Sequence, residues 1–142
     1  MRQISQKFYV LFLALFLGVS LAACGGGGHP AENAATGFFS AAYKGETDKM
    51  LALAADVDMS KESEKSMAKG KLEMMSGQAK EEAGKKGGFK KVEVSPEKPS
   101  EIAEDKATVY VVTHFGDGSK KEARTRLVKE NGAWKVKLGG GL

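Results

Sequence analysis

The chain has 142 residues, with 22 basic and 18 acidic side chains, one cysteine and two histidines. A single cysteine excludes a disulfide within the chain, and two histidines leave few ligands for a metal cluster. Arg2 and Lys7 lie in an N-terminal segment that we expect to be removed, so 20 of the 22 basic residues remain against 18 acidic ones. This near balance of charge does not favour nucleic-acid binding, and the remaining length suits one domain.

The N-terminal segment is typical of a secretory signal. Arg2 and Lys7 precede an apolar stretch from Phe8 to Val19, which has about 12 residues and is too short to span a bilayer as a helix. The small residues that follow, Leu21-Ala22-Ala23-Cys24, resemble the lipobox of bacterial lipoproteins. In that family the cysteine sulfur carries a diacylglyceryl group, and acyl chains such as palmitate anchor the protein. The resemblance implies that residues 1–23 are a signal peptide and that Cys24 is lipidated.

Residues 24–29 are the predicted tether between the lipid and the folded domain, because Gly25–Gly28 is flexible by composition. In the enterobacterial sorting pattern, an Asp directly after the lipidated cysteine retains the protein at the inner membrane. Gly25 occupies that position here, which by resemblance favours the outer membrane and a periplasmic setting. The alternatives are an uncleaved anchor and a soluble exported protein in which Cys24 follows two alanines by chance.

Three helices are predicted in the first half of the mature chain. The first begins at Pro30, carries apolar residues at helical spacing as far as Tyr43, and ends at Gly45. A short helix is expected from Thr47 or Asp48. A third helix is expected from a Ser60 cap to about Lys85. Its predicted core stripe contains Ala68, Leu72, Met75 and Ala79, with Met67 and Met74 beside them.

After Gly87-Gly88 the apolar residues alternate, which predicts β-strands to the end of the domain. Asn131-Gly132 is a strong signal for a two-residue hairpin, and Gly116–Gly118 suits a three-residue hairpin. These turns fix a register in which Val111 is opposite Ala123 and Leu127 is opposite Val136. One face of the sheet then collects the apolar side chains Val109, Val111, Phe115, Leu127, Trp134, Val136 and Leu138.

The predicted domain, residues 30–138, is therefore of the α+β class, with N-terminal helices packed on a curved antiparallel sheet of about four strands, and residues 139–142 are a flexible tail. Phe38–Gly45 resembles the opening of small bacterial lipoproteins with a domain of unknown function in the nuclear-transport-factor-two-like, or cystatin-like, superfamily. Ala107–Val111 and Leu127–Val136 resemble its later strands. The resemblance implies a long helix across a cone-shaped cavity, and it carries over no catalytic residue.

Enzymes on related folds use a buried tyrosine or histidine with a carboxylate near the cone. The candidates here are Tyr43, Tyr110, His114, Asp56 and Asp58. His114 shares strand parity with Tyr110 and is expected to point away from the cone. Tyr43 lies on the buried stripe of the first helix and lines the candidate cavity with Phe39, although a core-edge tyrosine fits the same pattern. No catalytic residue, cofactor or metal is assigned, because even the methionines of the third helix fit a core stripe better than a soft-metal site.

The opposite face of the predicted sheet gathers basic and aromatic side chains. The register places Arg124 opposite Tyr110, Arg126 opposite Lys137, and Lys135 opposite Val128. Like charges that face each other destabilise a strand pair. The candidate partner surface is therefore Tyr110, Arg124, Arg126, Lys135 and Lys137, the alternative being a solvated face on which long side chains cover the sheet.

These observations favour a lipid-anchored envelope protein that binds and does not catalyse. Its expected partners are the membrane, through Cys24, and either a second protomer or another envelope protein. One alternative is a small isomerase or dehydratase that uses the cone cavity beside Tyr43. The other is a structural homodimer formed through the outer sheet face.

Overall fold

The computed structural model describes residues 28–138 of the protein. The predictions for the signal peptide at 1–23, for lipidation of Cys24, for most of the glycine tether and for the tail at 139–142 concern residues outside this range. Among the helices of residues 28–138, none is long and apolar enough to cross a membrane.

The first helix, α1, spans Pro30–Lys44, and both of its ends have a local chemical cause. His29 is the N-cap: its Nδ1 accepts a hydrogen bond from the Ala31 N–H, while Glu32 accepts one from the His29 N–H, both at 3.1 Å. This reciprocal arrangement satisfies backbone donors that a helix start leaves free. Gly45 ends the helix in the left-handed conformation, with φ of 77°. His29, the last residue of the predicted tether, thus serves as the cap of α1.

Two further helices, α2 at Thr47–Ala52 and α3 at Glu62–Lys85, pack against α1. Leu72 of α3 is fully buried. The buried Ser76 hydroxyl donates a hydrogen bond of 2.7 Å to the Ala42 carbonyl of α1. Buried apolar surface and one satisfied polar contact therefore hold α3 on α1.

The predicted methionine stripe of α3 is correct for Met75 and wrong for the other two methionines. Met75 packs partly buried against the core. The side chains of Met67 and Met74 are 74% and 67% exposed. At 3.6 residues per turn, both lie roughly 140–160° around the helix from Leu72, which is buried against the core. Their spacing places them on one helix face, but this face points to solvent.

The helices of the described chain cover one face of a five-stranded antiparallel sheet. Its strands are β1 (Phe89–Val94), β2 (Glu101–Ile102), β3 (Lys106–Phe115), β4 (Lys120–Glu130) and β5 (Ala133–Val136). The strand order is β1-β3-β4-β5, and β2 pairs with β3 beyond the end of β1. This arrangement confirms the predicted α+β class, with helices packed on a curved antiparallel sheet.

The predicted register of β3, β4 and β5 is confirmed. Val111 pairs with Ala123, and Leu127 pairs with Val136. The turn residues Asn131-Gly132 have φ of 50° and 81°, as a hairpin with two left-handed central residues requires. The side chains buried on the helix-covered face include Val109, Val111, Phe115, Leu127, Trp134 and Val136.

Trp134 closes the core at the end of the sheet where α1 begins. Its side chain is 8% exposed and belongs to the same buried cluster as Leu127 and Val136. Its ring meets the His29 imidazole edge-on, with 5.7 Å between the ring centres. The N-cap of α1 therefore also covers the indole.

The two edges of the sheet differ. The edge of β5 is covered by the segment after α2, because the Ala55 N–H donates to the Val136 carbonyl at 2.8 Å and the Val136 N–H donates to the Leu53 carbonyl at 2.7 Å. At the opposite edge, a loop that contains Pro96 and Pro99 separates β1 from β2. Proline has no N–H for a strand ladder, so this edge is interrupted.

Candidate functional site

The cavity predicted beside Phe39 and Tyr43 is a small recess at one end of the cone. Its volume is about 140 Å³. Tyr43 is buried there in aromatic packing, stacked on Phe89 at 5.0 Å and edge-on to Phe115 at 5.7 Å between ring centres. The structure thus places both predicted residues at the recess, with the Tyr43 ring serving the core.

The charged groups at this recess are paired with one another. Lys121 Nζ lies 2.9 Å from Glu82 Oε2, and Lys86 Nζ lies 3.0 Å from Glu82 Oε1. The hydrogen bond from Lys121, followed by that from Lys86, holds the pKa of Glu82 below its ordinary value of 4.5. A carboxylate that stays ionised in this way is poorly suited to general acid–base work near neutral pH.

The other polar groups inside the cone are hydroxyls. Thr113 and Thr125 are buried on the inner face of the sheet. The Thr125 Oγ1 has no hydrogen-bond partner within the part of the chain that the structure describes. A buried hydroxyl without a hydrogen-bond partner lowers the free energy of unfolding by about 1–3 kcal/mol, so we expect the Thr125 hydroxyl to destabilise the fold.

The structure keeps the five candidate catalytic residues apart. Tyr43 packs in the core, whereas Tyr110 and His114 lie on the outer face of β3. Asp56 and Asp58 are exposed in the segment between α2 and α3. These residues therefore do not form one site.

His114 instead forms a pair on the outer face. Its Nε2 lies 2.7 Å from Glu93 Oε1. This hydrogen bond, followed by one from Lys91, holds the pKa of Glu93 below 4.5. Across residues 28–138, no group of three or more histidine, cysteine, aspartate or glutamate side chains is placed to hold a metal ion.

At one end of the outer face the basic groups have acidic partners. Lys98, from the loop before β2, forms an ion pair with Glu122, and its Nζ lies 5.3 Å from the centre of the Tyr110 ring. Lys91 Nζ lies 3.4 Å from Glu93 Oε2. We call this region the paired half; its members are Lys91, Glu93, Lys98, Tyr110, His114 and Glu122. Tyr110, predicted as part of a partner surface, is therefore partly covered by Lys98.

At the other end of the outer face the basic groups have no acidic partner. Arg126 is opposite Thr108 of β3, and the Lys137 N–H donates to the Arg126 carbonyl at 2.9 Å. No salt bridge between described residues includes Lys106, Arg124, Arg126 or Lys137. We call these four residues the unpaired half. It contains three members of the predicted partner surface.

Lys135, the remaining member of that predicted surface, reaches the edge of the sheet. Its ammonium group donates a hydrogen bond to the Ala52 carbonyl at the end of α2. This is one of the carbonyls that a helix leaves without a partner of its own. Lys135 therefore connects β5 to α2.

A groove of about 650 Å³ crosses the unpaired half. Lys106, Arg126 and Lys137 supply positive charge along its lining, and Glu101 supplies one negative charge. Ala103 and Val128 supply apolar surface. The groove therefore offers an excess of positive charge next to aliphatic side chains.

Sequence reasoning found Arg126 and Lys137 but missed Glu101, Ala103 and Lys106. The strand β2 has two residues, which is too short for any alternation to reveal. A signal for Lys106 was present, because the predicted pairing of β3 with β4, extended by one residue, places it opposite Val128.

The comparisons with known proteins identify a family. A family model described as "Domain of unknown function (DUF4878)" matches residues 22–137. The chain belongs to the DUF4878 family. A similar solved structure is the 2.00 Å crystal structure of a "Putative NTF2-like transpeptidase" from Campylobacter jejuni, with 23% sequence identity and a TM-score of 0.64. The match covers 75% of this chain and 96% of that chain. No curated protein matches the chain.

The fold of this DUF4878 domain is therefore the NTF2-like cone. In residues 28–138, three helices pack on a curled antiparallel sheet, and the solved structure shares this architecture. The predicted NTF2-like fold is confirmed. At 23% identity the likeness describes the fold alone.

Proposed function

We propose that this DUF4878 protein is a lipid-anchored protein of the bacterial envelope that acts as a non-catalytic binding module. The support for the anchor is the N-terminal sequence, in which basic residues, an apolar stretch and Leu21-Ala22-Ala23-Cys24 follow in the order of a lipoprotein signal. More than one acyl chain is needed, because a single chain gives only marginal membrane binding. Gly25 after Cys24 supports the outer membrane as the destination.

The observation that carries the binding role is the difference between the inside of the cone and its outer face. The inner recess has a volume of about 140 Å³, and Glu82 at its wall is paired with Lys121. The outer groove has a volume of about 650 Å³ and three basic side chains along it. A catalytic cone needs polar groups that converge on a substrate-sized space, whereas a binding surface needs exposed groups that are free to contact a partner.

The name of the similar solved structure makes acyl transfer a function to weigh. Covalent acyl transfer requires a hydroxyl or thiol nucleophile beside a general base. Within residues 28–138, His29 Nδ1 accepts the helix-cap bond and His114 Nε2 contacts Glu93. Cys24, the one cysteine of the chain, is the residue that we propose to be lipidated. These arrangements support binding over transpeptidation.

The anchor is tested by Cys24→Ser in the full chain, produced in a bacterial host. We expect the mature protein to lose the acyl mass and to leave the membrane fraction, because the sulfur that carries the lipid is gone. Gly26→Ser is the control, since it alters the tether but keeps Cys24 and should stay lipidated. A Cys24→Ser protein that remains in the membrane fraction with the same mass shift would contradict the proposal.

The contact surface is tested by combining Arg124→Glu and Arg126→Glu. We expect the free energy of unfolding to change by no more than about 0.5 kcal/mol, since both side chains are exposed. Association, either between protomers or with anionic vesicles, should fall at low salt and differ less from wild type at high salt. Lys71→Glu with Lys80→Glu is the matched control, because it makes the same charge change on exposed positions of α3.

Sedimentation and co-sedimentation with vesicles, each at low and high salt, measure these two forms of association. Unchanged behaviour of the Arg124→Glu, Arg126→Glu protein in both assays would make the outer face a solvated surface. The recess beside Phe39 and Tyr43 would then become the leading candidate site.

A further inference from the structure

Two positive side chains are neighbours across β4 and β5. Arg126 and Lys137 are joined through the 2.9 Å hydrogen bond from the Lys137 N–H to the Arg126 carbonyl, and both line the outer groove. Like charges in neighbouring strands repel and destabilise the pair. An anion bound between the two side chains would remove this repulsion.

The acidic side chains of the outer face do not fill this role. Glu122 is paired with Lys98, and Glu93 is paired with Lys91. Glu101 lies in the groove, but it is opposite Thr108, which is in turn opposite Arg126. Neighbouring strands are about 4.8 Å apart, so two strand spacings, roughly 10 Å, separate the Glu101 and Arg126 positions. No salt bridge between the described residues includes Glu101, so this carboxylate does not neutralise Arg126.

An apolar surface adjoins the two charges. Ala103 is exposed beside Lys106, and Val128 is half-buried. Lys106 is directly opposite Val128, so a third positive group lies beside the aliphatic part of the groove. Covering exposed aliphatic side chains is favourable by about 25 cal/mol for each Å² removed from water. A ligand that carries an apolar group therefore gains more in this groove than a bare ion.

We propose that the groove binds a small amphipathic oxyanion, with its carboxylate or phosphate between Arg126 and Lys137 and its aliphatic part over Ala103 and Val128. This inference rests on the proposed binding function and names the ligand class for the same face. The planar guanidinium of Arg126 donates two parallel hydrogen bonds to an oxyanion. The ammonium of Lys137 adds donors that adjust to either a planar or a tetrahedral group.

Direct titration tests the ligand class. The protein is the mature chain with Cys24→Ser, which keeps the described fold because every helix and strand that the structure describes lies between His29 and Leu138. Octanoate, octyl phosphate, inorganic phosphate and octanol are added separately, and the backbone amide NMR signals of Thr108 and Lys137 are followed. We expect the two amphipathic anions to bind at least about tenfold more tightly than inorganic phosphate or octanol, because only they make both contacts. The ratio between octanoate and octyl phosphate distinguishes a carboxylate source from a phosphate source.

Two variants with the same charge change test the site. Arg126→Gln should weaken octanoate binding about tenfold or more, the usual result of losing a hydrogen bond to a charged group. Lys98→Gln is the matched control, because it removes a positive charge from the same face at a residue already paired with Glu122; its Kd should change less than about twofold. Lys137→Gln is a second test variant, and thermal melting of each variant confirms that it folds.

Each outcome decides one part of the inference. Inorganic phosphate that binds as tightly as octanoate would overturn the apolar contact, and octanol that binds as tightly would overturn the charge contact. Equal losses from Lys98→Gln and Arg126→Gln would mean diffuse attraction without a site. No binding by any probe, with association still lost in Arg124→Glu, Arg126→Glu, would overturn the ligand class and leave the binding function standing.

Discussion

The two faces of the β3–β4 pair consist of alternate residues of the same strands, and they have different roles. Val109, Val111 and Leu127 are buried under the helices, whereas Arg124 and Arg126 are exposed on the other side. Because side chains alternate along a strand, a slip of one residue would bury Arg126 and expose Leu127. The buried face therefore fixes the register, and the register decides which charges meet on the outer face.

The outer face also differs between its own two ends. In the paired half, Lys98 meets Glu122 and His114 meets Glu93. In the unpaired half, Arg126 and Lys137 are neighbours without an acidic partner among the described residues. Exposed ion pairs contribute only about 0–1 kcal/mol, so the absence of partners costs the fold little. The fold can therefore tolerate this half being available for binding.

The two faces of the sheet should differ most in the free energy of unfolding that is lost when an aromatic side chain is removed. Trp134→Ala should lower the free energy of unfolding by about 3 kcal/mol, near the lower end for a core aromatic, because part of its ring meets His29 at the core edge. Tyr110→Ala is the matched control on the outer face and should cost less than about 1 kcal/mol, since it loses mainly the contact with Lys98. Urea unfolding curves measure both. A loss below about 1 kcal/mol for Trp134→Ala would contradict the assignment of its face.

A second comparison uses the hydroxyl groups inside the cone. Thr125→Val should raise the free energy of unfolding by about 1 kcal/mol, because valine has the same shape and removes the buried Oγ1 that lacks a partner in the described chain. Ser76→Ala is the contrasting variant and should lower the free energy by about 1 kcal/mol, since it deletes the 2.7 Å bond to the Ala42 carbonyl. Thermal melting of both variants measures these opposite changes in stability. Destabilisation by Thr125→Val would reveal a partner for this hydroxyl and a more polar cone interior.

The part of the fold that follows from local turn chemistry was predictable from the sequence. Asn131-Gly132 selects a hairpin with two left-handed residues, and alternation around it then sets Leu127 against Val136. The solvent-facing methionines of α3 were not predictable in this way. Met67 and Met74 share a helical spacing, but spacing does not say which face of the helix meets α1.

The candidate site was only partly predictable, because it depends on a long-range pairing. Arg126 and Lys137 followed from the hairpin register, since both are close to Asn131-Gly132 along the chain. Glu101 reaches the groove through the two-residue strand β2, whose place beside β3 is set by tertiary packing and the interrupted edge. The carbonyl that holds Lys135 belongs to α2, far away in sequence, so no local pattern reveals it.

The smallest expected effects are differences between the paired half and the unpaired half in how the free energy of unfolding depends on pH. The hydrogen bond from His114 holds the pKa of Glu93 below its ordinary value of 4.5, so this carboxylate stabilises the fold above that value and loses its effect as pH falls through the lowered native pKa. Glu93→Gln should therefore cost less than about 1 kcal/mol at pH near 6, and its difference from wild type should fade as the pH falls from the ordinary Glu pKa through the lowered one. Arg126→Gln should change the free energy of unfolding by less than about 0.5 kcal/mol across the same range, because it has no described carboxylate partner to lose. Urea unfolding at a series of pH values measures both differences.

Arg126→Gln could instead cost as much as Glu93→Gln, with a loss that fades over the same pH range. This result would mean that Arg126 has an acidic partner within the chain, and the groove would then not be free for an external anion.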